Sequence, residues 1–193
     1  STSSLIITSS VLPEGEHIPN QYTCNSTNKG DDEDVSPPLQ WDNAPSGTKS
    51  FALIFEDPDA LGGTFVHWVI YNIPSDVTAF EEAIPPIGIL ANGAKQGLND
   101  FENLGYEGPC PPPAGNIYNW VFTVYAVDSE VSLGPGATKA ELMSAISDHI
   151  LSEGSLKRKY RSSTDNEQTD NEEIKKKQQE ANRKKEDVMV IED

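Results

Sequence analysis

Asp57 and Asp59 flank Pro58 in the run Glu56-Asp57-Pro58-Asp59-Ala60, and His67-Trp68 follows inside an apolar stretch. Carboxylates and an imidazole are the groups that take and give protons or hold a small polar ligand. Their placement depends on what flanks them. Phe51-Ala52-Leu53-Ile54-Phe55 reads as a strand running into a proline-stiffened turn, and Val66 to Ile73 reads as the buried strand returning from it. Strand end, acidic turn and returning strand would bring Asp57, Asp59 and His67 to one rim of a sheet, a rigid support on which ligand sites are commonly built. The plainer alternative stays open: Asp-Pro-Asp is a common turn, and a single strand histidine often serves only the core.

A second segment adds weight to the site reading. Leu98-Asn99-Asp100-Phe101 is followed by Gly105-Tyr106-Glu107-Gly108-Pro109-Cys110-Pro111-Pro112-Pro113. Glycine and proline at that density predict a stiff loop without a regular hydrogen-bond ladder, which loses little entropy on binding and suits a pocket wall. Trp120 to Asp128 is then almost wholly apolar, β-branched or aromatic, the pattern of a central strand covered on both faces.

In this order the pieces resemble the phosphatidylethanolamine-binding protein family, which includes the Raf kinase inhibitor protein and the plant flowering-time regulators. The likeness to its bacterial and archaeal branch spans roughly Leu5 to Arg161. It is carried by Tyr22-Thr23-Cys24, Val35-Ser36-Pro37-Pro38-Leu39-Gln40-Trp41, Asp57-Pro58-Asp59-Ala60, His67-Trp68, Asn99-Asp100-Phe101, Gly105-Tyr106, Gly108-Pro109-Cys110-Pro111-Pro112 and the strand to Asp128. The resemblance implies a mainly β fold: a large central antiparallel sheet, a smaller sheet, and one or two peripheral helices. It also implies a small pocket for phosphate-like anions or phospholipid headgroups such as phosphoethanolamine, lined by Asp57, Asp59, His67 and the Gly108-Pro109 backbone. A protonated His67 would then be the cationic donor. By the same likeness the function is non-catalytic and regulatory, with inhibition of serine proteases or kinases by protein contact as the alternative.

One stretch departs from that pattern. The family carries His-Arg-Tyr before its apolar strand, with the His and Tyr facing the pocket. Here Tyr118, Asn119 and Trp120 stand at those positions. A phenol donates one hydrogen bond but carries no positive charge near neutral pH, and an indole offers one N–H. Tyr118 and Trp120 join the candidate ligand-binding residues, and the pocket loses a titratable donor.

Cys24 and Cys110 are the only cysteines. Distant cysteines in a cytosolic chain are usually free thiols. The resemblance places both beside the pocket loops, so a disulfide is a candidate, worth roughly 4–5 kcal/mol in the chain-entropy account. Zinc would need further ligands, and neither Cys-x-x-Cys nor His-x₃-His occurs. The acidic run Gly30 to Asp34 lacks the glycine and glutamate spacing of a calcium loop and reads as a hydrated turn. No nucleophile elbow, phosphate-cradling loop or dinucleotide fingerprint is present, so neither a cofactor nor a catalytic set is expected. A hydrolase built on Asp57 and His67 is the remaining enzymatic alternative.

The chain has 193 residues, 36% hydrophobic, and a formal net charge of −17, enough for one large domain with its core. Between Gly30 and Leu156 the only basic residues are Lys49, Lys95 and Lys139. That body repels nucleic acid and anionic lipid surfaces, which clustered Lys and Arg would capture. No run is apolar enough to span a bilayer and no uncleaved signal peptide is visible, so the expectation is a soluble, cytoplasmic protein; a removed signal peptide would make it periplasmic or secreted. Thr138 and Glu141 form a capping box, and Leu142, Ile146 and Ile150 predict a helix that Gly154 stops. Leu5 to Thr8 and Leu156 to Arg161 read as the first and last strands, and Pro85 to Gly97 as a loop. Two segments follow: a domain over 1–161 and a charged tail over 162–193, disordered or transiently helical.

Overall fold

The computed structural model describes residues 4–14, 18–24, 34–60, 62–110 and 117–161. The tail from residue 162 and residues 30–33 of the acidic run lie outside the described residues. The elements are β1 (Ile6–Thr8), β2 (Leu39–Asp42), β3 (Ser50–Asp57), β4 (Phe65–Pro74), β5 (Ala79–Phe80), β6 (Lys95–Gln96), β7 (Ile117–Val127), α1 (Lys139–Ile146) and β8 (Ile150–Arg161). Short 3-10 turns occupy Asn20–Tyr22 and Ser147–His149.

Two sheets form, ordered β1-β2-β5 and β6-β4-β3-β7-β8. β3 is central, antiparallel to both β4 and β7. Its alternation follows the pleat. Phe51, Leu53 and Phe55 face one apolar cluster, shared with Ile7, Leu39, Trp41 and Phe80 of the smaller sheet. Ala52 and Ile54 face the other, which Leu142 and Ile146 of α1 complete. The layers are therefore small sheet, large sheet, helix, in agreement with the mainly β expectation.

The ladder of β3 and β4 shifts register twice, between Phe51 and Leu53 and between Phe55 and Glu56. At the first shift Asn72 adopts φ 52°, and its side-chain amide exchanges two hydrogen bonds with the backbone of Val131. At the second, Phe55 pairs with Trp68 and Glu56 with Val66, which leaves His67 as the extra residue of a β-bulge.

The capping box forms as expected: Glu141 N–H donates to Thr138 Oγ1, and Thr138 N–H donates to Glu141 Oε2. The helix is shorter than its apolar spacing suggests. It ends at Ile146, tightens through Ser147–His149, and Ile150 already begins β8. Gly154 is a strand residue, not a helix stop. A Cβ there would stand 2.0 Å from the Leu5 carbonyl oxygen, so the glycine lets the backbones of β8 and the start of β1 cross closely. His149 pairs with Asp128 at 2.7 Å. The expected loop Pro85 to Gly97 carries the two-residue strand β6 at its end. Among the described residues no helix is long and apolar enough to cross a membrane.

Candidate functional site

The rim begins where β3 ends. Glu56 points to the helix layer and pairs with Lys139, so Asp57 returns to the small-sheet side, where it is 3% exposed. Its Oδ1 accepts the Asp59 N–H at 2.8 Å, closing a turn over Pro58. Burial pushes the Asp57 carboxyl above the ordinary aspartate value; the Asp59 N–H opposes this and the Asp59 charge adds to it.

His67 owes its direction to the bulge. Without the extra residue, strict alternation would turn it to the helix side; instead His67 and Trp68 both face the cluster around Phe55. The ring lies among Phe55 (5.5 Å between centroids), Phe65 (5.0 Å), Phe101 (5.9 Å) and Trp120 (4.9 Å, edge-on). Its Nδ1 stands 2.8 Å from the Glu107 carbonyl, and the His67 carbonyl accepts the Glu107 N–H at 3.1 Å. A carbonyl only accepts, so Nδ1 carries the proton and the neutral ring offers Nε2 as an acceptor. Nε2 has no hydrogen-bond partner among the described residues.

Desolvation lowers the His67 pKa to about 4, against the upward pull of the Glu107 carbonyl, Asp100 and Asp34. The expectation of a protonated His67 donor is therefore corrected: four rings from four parts of the chain exclude the water that would stabilise the imidazolium. A consequence for stability follows. With a folded pKa of about 4 and an unfolded value of 6.5, the unfolded chain takes this proton first as pH falls. Stability is then lost between about pH 6.5 and 4, by about 3 kcal/mol from this residue. Urea midpoints across that range, compared with His67→Asn, should show a shallower acid slope in the variant; equal slopes would contradict it.

On β7, Tyr118 and Trp120 are buried at 6% and 2% exposure, their rings 6.5 Å apart. The β3–β7 register pairs Glu56 with Val121, so the next step along both strands brings Asp57 beside Trp120. Asn119 points the other way, and its Nδ2 donates to Asp59 Oδ2 at 2.7 Å. The Asp59 carboxylate is thus turned toward Asn119, while Asp57, His67, Tyr118 and Trp120 share one face. An amide, not a guanidinium, meets Asp59 here.

The far wall is Gly108-Pro109. A Cβ on Gly108 would meet the Tyr22 carbonyl oxygen at 2.6 Å and Thr23 Cα at 2.8 Å, so only glycine lets the loop lie on residues 22–24. Cys24 N–H donates to the Pro109 carbonyl at 3.2 Å, and Tyr106 Oη donates to the Tyr22 carbonyl at 2.6 Å. A disulfide joins Cys24 and Cys110 at a Cα separation of 5.3 Å. Cys110 therefore offers no thiolate. Gly108 N–H donates to Asp34 Oδ2 at 2.8 Å, which brings to the rim a carboxylate read from the sequence only as part of a hydrated turn. Its position directly before the Val35-Ser36-Pro37-Pro38 motif was the available signal. Among the described residues no group of three or more His, Cys, Asp or Glu is arranged to hold a metal ion.

Comparison with known proteins bears on this geometry. The family profile described as "Phosphatidylethanolamine-binding protein" matches residues 8–161. A UPF0098 protein of Methanothermobacter thermautotrophicus is 46% identical over 144 residues, covering 75% of this chain and 90% of the relative. The UPF0098 protein YbhB of Escherichia coli is 34% identical over 149 residues, covering 75% and 92%. Among solved structures, a phosphatidylethanolamine-binding protein homologue from Chlamydia trachomatis superposes with a TM-score of 0.71 at 32% identity, covering 84% of this chain and 99% of that one. Escherichia coli YbcL, described as a new member of the mammalian family, gives 0.73 at 28% identity, covering 83% and 99%.

Proposed function

This chain belongs to the phosphatidylethanolamine-binding protein family, and from that premise we propose that it is a non-catalytic, regulatory binding domain holding a small phosphate-bearing headgroup at the rim of Asp57, His67, Tyr118, Trp120 and the Gly108-Pro109 loop. The observation that carries this reading is His67: a residue 3% exposed, ringed by aromatics, whose Nε2 is left without a partner. With Nδ1 fixed by the Glu107 carbonyl, Nε2 is the ring atom left to accept a hydrogen bond from a ligand group. Catalysis lacks a nucleophile beside the pair, since Cys110 is consumed in the disulfide. We further propose that residues 1–161 form the binding domain and 162–193 a charged appendage. The disulfide also favours an oxidising compartment, and hence the periplasmic or secreted alternative over the cytoplasm.

Calorimetric titration with phosphoethanolamine tests the reading: saturable heat without release of inorganic phosphate is the expected result, and turnover would overturn it. Tyr118→His tests the wall opposite His67. Restoring an imidazole adds one charge-assisted donor toward a phosphate oxygen, worth about 1.5–3 kcal/mol, or tenfold and more in affinity at pH 5.5. No gain in a folded variant would remove Tyr118 from the binding set.

A further inference from the structure

We infer that the cleft between β1 and β8, the facing outer strands of the two sheets, is a docking groove for a short extended segment of a partner protein in which acidic and apolar side chains alternate. This goes beyond the headgroup reading and does not depend on it.

The groove is built from two unpaired strand edges. β1 ends the three-stranded sheet and β8 ends the five-stranded one. Between them lies a cavity of about 520 Å³, whose walls include Ile7, Leu12, Ser155, Leu156 and Lys157. One end is pinched where Gly154 passes the Leu5 carbonyl. The other is closed by Arg158, whose Nε donates to the Leu12 carbonyl at 2.8 Å. Strand rise makes that span about 13 Å, room for about four extended residues.

Backbone groups along this span face the cleft. The Lys159 carbonyl accepts the Ile18 N–H at 3.3 Å, so the peptide groups of Lys159 lie on the edge of β8 away from β7. Orientation alternates along a strand, and Ser155 and Lys157 therefore turn theirs to the same edge. On β1, Ile7 pairs with Trp41, whose N–H goes instead to Thr78 beside β5. The Ile7 peptide groups thus face outward too. The Lys157 carbonyl is taken by Arg158 Nη1 at 2.7 Å. The Ser155 N–H and carbonyl and the Lys157 N–H have no partner among the described residues, and they are the rungs on which an added strand would pair.

Side chains set the chemistry of the guest. Ile7, Leu12 and Leu156 are buried and give the cleft an apolar floor, which asks for apolar residues on the guest's inward face. Lys157 and Lys159 are exposed on the opposite face. With Arg158 they form three consecutive cations in an acidic body whose other described cations are engaged or distant: Lys139 pairs with Glu56, Lys95 donates to the Leu133 carbonyl, and Lys49 precedes β3. No described carboxylate pairs with any of the three. Glu14 is the single acid lining the cleft, and it is exposed. Lysines on an edge strand also discourage sheet-to-sheet aggregation. That role accounts for Lys157 and Lys159 but not for Arg158, which two carbonyls hold across the cleft while its Nη2 stays available to an acceptor. A net charge of −17 on every copy opposes a second copy of this chain as the guest. A strand with carboxylates beside Lys157 and Lys159 and apolar residues between them complements both faces.

The test titrates the full chain with two capped, fluorescently labelled hexapeptides, one alternating glutamate with valine and the other lysine with valine. The expected result is that the glutamate peptide binds tenfold or more tighter than the lysine peptide, and severalfold more weakly when salt is raised from about 0.05 to 0.5 M. The amide protons of Ser155 and Lys157 should move downfield on binding, as donors do on entering a strand ladder. Lys157→Glu combined with Lys159→Glu, both at exposed positions, should cost the glutamate peptide tenfold or more at an unchanged urea midpoint and transfer the preference to the lysine peptide. Failure of the glutamate peptide to bind, equal affinity for the two peptides, or resonance shifts confined to elements other than β1 and β8 overturns the inference. So does sedimentation showing a dimer of this chain that the peptide disperses, since a second copy is then the guest. The headgroup reading stands in each of these cases.

Discussion

Reducing the Cys24–Cys110 disulfide, or replacing both cysteines by serine, is expected to lower the unfolding free energy by roughly 4–5 kcal/mol. The two residues are 86 apart in sequence, so the bond removes a large closed-loop entropy from the unfolded chain. The folded junction does not depend on the bond alone. Cys24 N–H still reaches the Pro109 carbonyl, Tyr106 still anchors the Tyr22 carbonyl, and Gly108 still lies against Thr23. The effect should therefore fall on the unfolded state, with the far-ultraviolet spectrum retained. Domains carry only about 5–15 kcal/mol in all, so the loss is a large fraction. Urea titrations with and without a dithiol reductant measure it. A change below about 1.5 kcal/mol would mean that the unfolded chain already keeps these loops together.

Phe55→Ala should cost about 3–5 kcal/mol, and it should disable the rim as well. Phe55 is 0% exposed and stacks on Phe122 at 4.0 Å and on Tyr106 at 5.6 Å, with His67 and Trp120 tilted against it. Removing the ring opens a cavity under His67, and the water admitted would raise the imidazole's pKa toward its ordinary value. Phe55→Leu, which fills more of that space, should recover about half of the loss. Chemical denaturation gives the stability, and proton NMR titration of His67 gives the second effect. A loss under 1 kcal/mol would contradict the packing described.

The sequence made some of this legible and hid the rest for physical reasons. The runs at Phe51–Phe55, Val66–Ile73 and Trp120–Val127 are apolar enough to announce buried strands, and Thr138 with Glu141 announces a helix start, because these signals are local. The β4 bulges are not local. A side-chain period of two shows which residues alternate but not where one residue has no partner on the neighbouring strand. The helix end was misread because Gly154 has two explanations, a terminator or a close crossing, and only the Leu5 carbonyl decides between them. Asp34 was missed because its partner, Gly108, is 74 residues away. The charge state of His67 was misjudged because the residue type predicts a pKa near 6.5, whereas the rings that lower it come from β3, β4, β7 and the loop at Phe101.

The bulge at His67 also bears on how this scaffold can change. Phe55 pairs with Trp68 and Glu56 with Val66, so His67 sits in the β4 strand without occupying a rung of the ladder. Loss of that single codon would bring Val66 directly behind Trp68, and both pairings would close into an uninterrupted ladder. The shortened protein would fold with a more regular sheet and no imidazole. If His67 serves the proposed binding role, that role is one deletion away from loss with the architecture intact, whereas regaining it requires an insertion at one position of one strand.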